Sequence, residues 1–232
     1  MNWQDEFAAG KVLLIDKPLR WTSFDVVKKV RVQTKISKVG HAGTLDPLAT
    51  GLLIVCTGKF TKKINEYMAR EKEYTGSITL GSVTPTFDLE SEPEQFRDFA
   101  HLTPEMIHDA TVPFTGDIEQ VPPIHSAIKK DGVPAYVMAR KGKEIKMEPR
   151  KVTISAFSIT AIDLPKVYFK VVCSTGTYIR SLANDFGEAL GCGGHLSSLC
   201  RTRIGEFLLS DAVTVPEFEA GINKLKEEQK AD

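Results

Sequence analysis

Twelve consecutive residues, Gly40-His41-Ala42-Gly43-Thr44-Leu45-Asp46-Pro47-Leu48-Ala49-Thr50-Gly51, set a carboxylate, an imidazole and three glycines ahead of an apolar run. The glycines admit backbone angles closed to other residues, and Pro47 pushes Asp46 out of helical geometry toward an extended one. A carboxylate held in this way can meet a ligand, although Asp before Pro is also ordinary turn chemistry, and the loop alone leaves both readings open. A second dense stretch, Ser174 to Asp185, passes through Gly176 into a helix start and places Tyr178 and Arg180 there. An arginine at such a position is rarely buried without a partner, so Arg180 calls for an acid that the local sequence does not name. Tyr74, at the start of a strand, fits half-buried packing as well as it fits a catalytic group.

These residues need elements to hold them. Leu52 to Cys56 has the length and β-branched content of a buried strand, which sets the Asp46 loop against a core sheet. Lys11 to Lys17 reads as another short strand ended by Pro18, with Thr22-Ser23 as a helix N-cap. Phe24, Val27 and Val30 then fall at intervals of three, which predicts one apolar helix face. Lys59 to Met68 has helical character, and Glu73 to Gly81 that of a strand. Glu90 to Asp98 reads as an acidic surface loop before a capped helix at Thr103-Pro104. Lys151 to Ile162 and Lys166 to Ser174 alternate as neighbouring strands, with Ile179 and Leu182 as the inward anchors of the next helix. Leu196 to Phe207, which contains Leu199 and Arg201, makes a last strand, and Val215 to Glu228 a final helix.

The 232 residues have 42% hydrophobic and 26% charged side chains, the composition of an ordinary globular protein. No apolar run approaches a membrane span, and the first residues lack the basic start of a signal peptide, so a cytoplasmic protein without a membrane partner is expected. Four cysteines without a Cys-x-x-Cys pair argue against a disulfide framework. Cys192, His195 and Cys200 are irregularly spaced and lack an obvious fourth ligand, so no metal site is expected. Thirty basic and thirty acidic side chains cancel, but unevenly along the chain. Residues 17 to 38 carry seven Lys or Arg against Asp25, and residues 124 to 151 carry eight against Asp131, Glu144 and Glu148. The balancing acid lies between them, with eight Asp or Glu against Arg97 in residues 88 to 118. Each block taken alone fits a solvated face.

The twelve-residue string resembles, at all twelve positions, the signature of the TruB family of tRNA pseudouridine synthases. The IDKP strand with Trp21-Thr22-Ser23, the K-x-Y element Lys72-Glu73-Tyr74, the turn Thr84-Pro85-Thr86-Phe87-Asp88 and the string Gly176-Thr177-Tyr178-Ile179-Arg180-Ser181-Leu182-Ala183 are similar to further motifs of that family. Ser91 stands where many members have glycine, and Cys200 where arginine is common. The resemblance covers about residues 10 to 210. It implies an α+β pseudouridine synthase fold: a mixed, mainly antiparallel central sheet flanked by helices, with a thumb-like RNA-binding insertion at about 120–150. It implies a catalytic domain over 1–210 and a C-terminal helix and tail over 211–232, without a PUA domain.

The activity implied is isomerisation of uridine to pseudouridine at position 55 in the T-loop of tRNA. In that reading Asp46 is the nucleophile, Arg180 its ionic partner, and Tyr74 the residue that stacks on the base and takes or relays a proton. His41 is the wedge that fills the gap left by a flipped base, with Tyr178 and Leu199 lining the pocket. Lys129, Lys141, Lys143 and Lys146 of the insertion would meet RNA phosphates. No cofactor is expected, nor a guide RNA, and a monomer acting on the tRNA T-arm is the expected state. Two alternatives stay open: a guide-RNA-dependent relative acting on ribosomal RNA, and a non-catalytic module that binds and folds tRNA.

Overall fold

The computed structural model describes residues 2–126, 128–130, 132–139 and 145–231. Along the chain the elements are α1 (Trp3–Ala9), β1 (Val12–Lys17), α2 (Ser23–Thr34), β2 (Val39–Ala42), β3 (Ala49–Thr57), α3 (Ile64–Met68) and β4 (Lys72–Leu80). There follow α4 (Pro104–Asp109), β5 (Gly116–Gln120), β6 (Lys129–Lys130), β7 (Val133–Pro134), α5 (Ala135–Ala139), β8 (Arg150–Asp163) and β9 (Lys166–Cys173). The chain closes with α6 (Ile179–Ala189), β10 (Gly194–Ile204), β11 (Phe207–Leu208), β12 (Val213–Thr214) and α7 (Val215–Ala231). Two compact units divide it, one formed by residues 1–74 with 199–232 and the other by residues 75–198. The chain passes between them within β4 and again within β10.

In the first unit the strand order is β12-β1-β3-β10, with β2 on β3 and β11 on β10. The pairing is mixed: β1 with β12 and β3 with β10 are parallel, while β1 and β2 run antiparallel to β3. β3 is buried on both faces, which is why its sequence reads as a continuous apolar run rather than an alternation. Leu53 and Val55 join Trp3, Phe7, Val26, Val27, Val30, Phe218 and Ile222 from α1, α2 and α7. Leu52, Ile54 and Cys56 point the other way, to Tyr67 and Ile204.

α2 starts at a capping box, in which the Thr22 hydroxyl accepts from Asp25 N–H and the Asp25 carboxylate accepts from Thr22 N–H. The face predicted from Phe24, Val27 and Val30 needs a correction. Phe24 is 59% exposed, and the buried stripe is Val26, Val27, Val30 and Thr34. Spacing by three fits an apolar face, but so does Val26, Val30 and Thr34 at spacing by four, and packing on the sheet chose that row.

In the second unit the order is β10-β4-β9-β8-β5, with β9 and β5 antiparallel to β8. The alternation in β9 buries Val167, Phe169, Val171 and Cys173. Phe186 of α6 meets Phe157 of β8 edge-on at 5.5 Å between ring centroids, and Phe157 meets Phe169 in the same way. These contacts seat α6, whose first turn carries Arg180, on the sheet.

Candidate functional site

Asp46 is half-buried in a turn between β2 and β3. The segment whose sequence reads as one loop begins as a strand: His41 lies in β2, paired opposite Val55. Gly40 has no positive φ, whereas Gly43 (φ 89°) and Gly51 (φ 100°) do, so only the last two use the freedom that lets glycine bend the chain. Gly40 is small for a different reason, because a Cβ there would lie 2.7 Å from Cδ1 of Ile64.

Two side chains, Ser23 and Arg201, fix the turn around Asp46, and the charge of Lys17 acts on its carboxylate. The Ser23 hydroxyl, on the first residue of α2, accepts from Leu45 N–H at 2.9 Å and lies 3.2 Å from Leu45 O, to which it can donate. Arg201 of β10 is only 1% exposed, and its guanidinium donates to Leu52 O at 2.8 Å, Gly43 O at 3.2 Å and Thr44 O at 3.5 Å. It thus grips the chain on both sides of Asp46. Lys17, wholly buried at the end of β1, donates to Trp21 O at 2.6 Å and Pro18 O at 3.0 Å. Burial pulls its ammonium down to about 8, opposed by the attraction of Asp46 and reinforced by Arg201.

His41 is half-buried, and burial first, then the charge of Arg201, lowers its pKa against a main-chain hydrogen bond with Gly43; the ring is neutral near pH 7. Leu199 pairs with Ala49 in the parallel ladder of β10 and β3, and its carbonyl accepts from the Thr50 hydroxyl at 3.4 Å. That register brings Leu199 to the residues that follow Asp46. Tyr74 is buried in β4.

In the second unit, Tyr178 is the half-buried residue that precedes α6, and Arg180, on its first turn, is 5% exposed. Arg180 donates to His125 O at 3.0 Å and Thr86 O at 3.4 Å, and its Nε stands 3.7 Å from Oδ2 of Asp88. Asp88 is itself buried, and its Oδ1 accepts from Glu90 N–H at 3.0 Å. A buried guanidinium with an acid and two carbonyls around it has the partners that desolvation requires. Ser91 accepts from Thr86 N–H at 3.1 Å through its hydroxyl, which also lies 2.7 Å from the Thr86 hydroxyl, so the serine ties the turn that presents Asp88.

Lys146 is exposed after α5. Lys141 and Lys143 lie outside the described residues, as does the side chain of Lys129, whose main chain forms part of β6. Three residues with evident roles in this geometry, Lys17, Asp88 and Arg201, are not among the site residues read from sequence, although Lys17 and Asp88 stand in the IDKP and Thr84–Asp88 strings. The demand of Arg180 for an acid is the signal that points to Asp88, at the end of the Thr84-Pro85-Thr86-Phe87-Asp88 turn.

With that geometry in view, comparison with known proteins decides the family. The family model described as "TruB family pseudouridylate synthase (N terminal domain)" matches residues 29–179, and "tRNA pseudouridylate synthase B C-terminal domain" matches 180–232. The chain belongs to the TruB family. It is similar to the tRNA pseudouridine synthase B of Flavobacterium johnsoniae, 52% identical with 94% of this chain and 98% of the relative covered. It is 46% identical to the protein of the same name from Phocaeicola vulgatus, over 96% and 97% of the two chains. Among solved structures, a Cbf5-Nop10-Gar1 complex contains a chain that matches at TM-score 0.76 and 28% identity. An H/ACA RNP bound to a substrate RNA containing 2′-deoxyuridine contains one at 0.74 and 26%. These cover 97% and 99% of this chain, which spans 58% of each of those chains.

Proposed function

We propose that this TruB-family protein isomerises uridine to pseudouridine in the T-loop of tRNA, with Asp46 as nucleophile. The observation that carries the reading is the half-buried Asp46 turn, held by Ser23 and Arg201 with the charge of Lys17 attracting its carboxylate, in a chain 52% identical to a tRNA pseudouridine synthase B. The reaction breaks the bond from ribose C1′ to uracil N1 and makes one from C1′ to C5. The C5 proton leaves and N1 gains one, so nothing is oxidised or reduced. A carboxylate serves this chemistry by adding covalently to the base at C6 or the sugar at C1′ and leaving again.

The remaining roles belong to the same proposal. The target must be drawn out of its stack at a cost of a few kcal/mol, which a neutral, half-buried His41 can offset by filling the gap. Tyr178 and Leu199 line the base, and Tyr74 stacks on it and relays the proton. Arg180 supplies the positive charge that the family resemblance pairs with the nucleophile. The lysines of the insertion meet phosphates, and the cytoplasm, where tRNA is, would be the place of action. Among the described residues no helix is long and apolar enough to cross a membrane.

Relatives that share nearly the full length of this chain are named as tRNA enzymes, which favours tRNA over a guided RNA target. The test is purified protein with an unmodified tRNA transcript and no guide RNA or other additive. Pseudouridine at position 55 alone is the expected product. Unmodified transcript after prolonged incubation would overturn the proposal in favour of a module that only binds.

A further inference from the structure

The start of the insertion is joined to the first turn of α6 by hydrogen bonds from three side chains. Gln120, the last residue of β5, is 1% exposed, and its carboxamide meets both main-chain groups of one residue: Tyr178 N–H donates to Oε1 at 2.7 Å, and Nε2 donates to Tyr178 O at 3.0 Å. The Ser181 hydroxyl donates to Val121 O at 2.7 Å, and Arg180 reaches His125 O at 3.0 Å. Tyr178 has no side-chain cap of its own. A helix start leaves main-chain groups without helical partners, and here a side chain from another element holds the residue that leads into it. Met or Glu could fill the same volume, but only a group that both accepts and donates closes a two-bond clasp of this kind.

We propose that Gln120 is a positioning residue for turnover: its carboxamide sets the main chain of Tyr178, and thereby the direction in which the first turn of α6 presents Tyr178 and Arg180. The inference rests on the proposed pseudouridine synthase activity. Gln120 touches no substrate and acts through the residues it holds. The bonded root also gives the insertion a mechanical connection to α6, since Gln120, Val121 and His125 all lie at its start and all contact residues 178 to 181.

The test compares the parent with three variants under single-turnover conditions on tRNA, with tRNA affinity and thermal midpoint measured alongside. The parent must form pseudouridine, and Asp46→Asn must not; failure of either condemns the activity reading rather than the role of Gln120. Gln120→Met removes both hydrogen bonds at similar volume and is expected to lower the rate about tenfold while leaving tRNA affinity within about twofold. Gln120→Glu separates positioning from bulk stability. An ionised carboxylate would face Tyr178 O with no proton to donate, whereas the protonated acid can accept from Tyr178 N–H and donate to Tyr178 O as the amide does.

Burial raises the pKa of such a carboxyl, so the ratio of variant to parent rate is expected to rise several-fold from pH 8 to pH 6. Arg180 is the charged group that bonds to this same root, with Asp88 beside it. A rate ratio that stays flat across that interval, or parent-like rates in both Gln120 variants, overturns the proposal. So does outright loss of the fold in both, which would make Gln120 a structural residue and nothing more.

Discussion

At Lys17 a single side chain links the end of β1 electrostatically to Asp46. Its ammonium is wholly buried, bonds two carbonyls of the following turn and attracts the carboxylate of Asp46. Because burial lowers its pKa in the folded state to about 8, from an unfolded value near 10.4, folding is disfavoured by this group while it is charged. Its contribution to stability therefore improves as pH rises from about 8 through 10.4. Catalysis should go the other way, since the positive charge beside Asp46 is lost over the first part of that interval. The predicted pH-rate profile falls above about pH 8, and Lys17→Met should be slow at all pH values and lack that limb. Persistence of the limb in Lys17→Met would assign it to another group.

The residues proposed to do the chemistry are legible in the sequence, because Asp46, Arg180 and Tyr74 stand in short dense motifs. Their supports are not. Arg201 and Asp88 act through contacts with residues distant in sequence, which no local pattern records: Arg201 Nε reaches Leu52, and Arg180 stands beside Asp88.

Among the elements, β3 leaves the Asp46 turn through a glycine that tolerates no side chain. Gly51 has φ 100°, and a Cβ there would lie 2.8 Å from Arg201 N, a main-chain atom that cannot swing aside. Gly51→Ala is therefore expected to cost about 2–3 kcal/mol in a urea melt and to lower turnover more than tRNA binding. Unchanged stability would mean that β10 gives way. β3 itself is readable because burial on both faces makes its apolar run unbroken, and the paired alternation of β8 and β9 is equally plain.

β2 reads as loop because Gly40 and Gly43 mimic a bend, although the strand is fixed by pairing with β3. α1 is short, 7 residues, and is not among the elements expected from the sequence, although it has signals there, an Asn2–Asp5 capping box and Trp3 and Phe7 four apart on the core. The face of α2 is ambiguous at Phe24 because two helical rows fit the apolar residues and only the sheet beneath decides between them.

For the molecule as a whole, a formal net charge of zero conceals a basic block of net +5 in residues 124 to 151, eight basic less three acidic side chains. If this arm meets phosphates, each neutralised phosphate releases condensed counterion and makes affinity fall with salt. Lys141, Lys143 and Lys146 changed together to Gln should weaken tRNA binding and flatten the slope of log affinity against log salt by about 0.7–0.9 for each phosphate no longer neutralised. Which uridine is modified should not change. Coincident slopes for variant and parent would assign those charges to a solvated face.

Whether Asp46 is the nucleophile of a uridine isomerase is read out by tritium release from tRNA labelled at uracil C5, since the label leaves only when C5 is joined to the sugar. Asp46→Asn keeps the shape of the side chain and removes its charge and nucleophilicity. The parent is expected to release one tritium for each T-loop target, and Asp46→Asn, with a parent-like thermal midpoint and parent-like tRNA binding, to release none. Release by the folded Asp46→Asn protein at a rate near that of the parent would contradict the role of Asp46 as nucleophile.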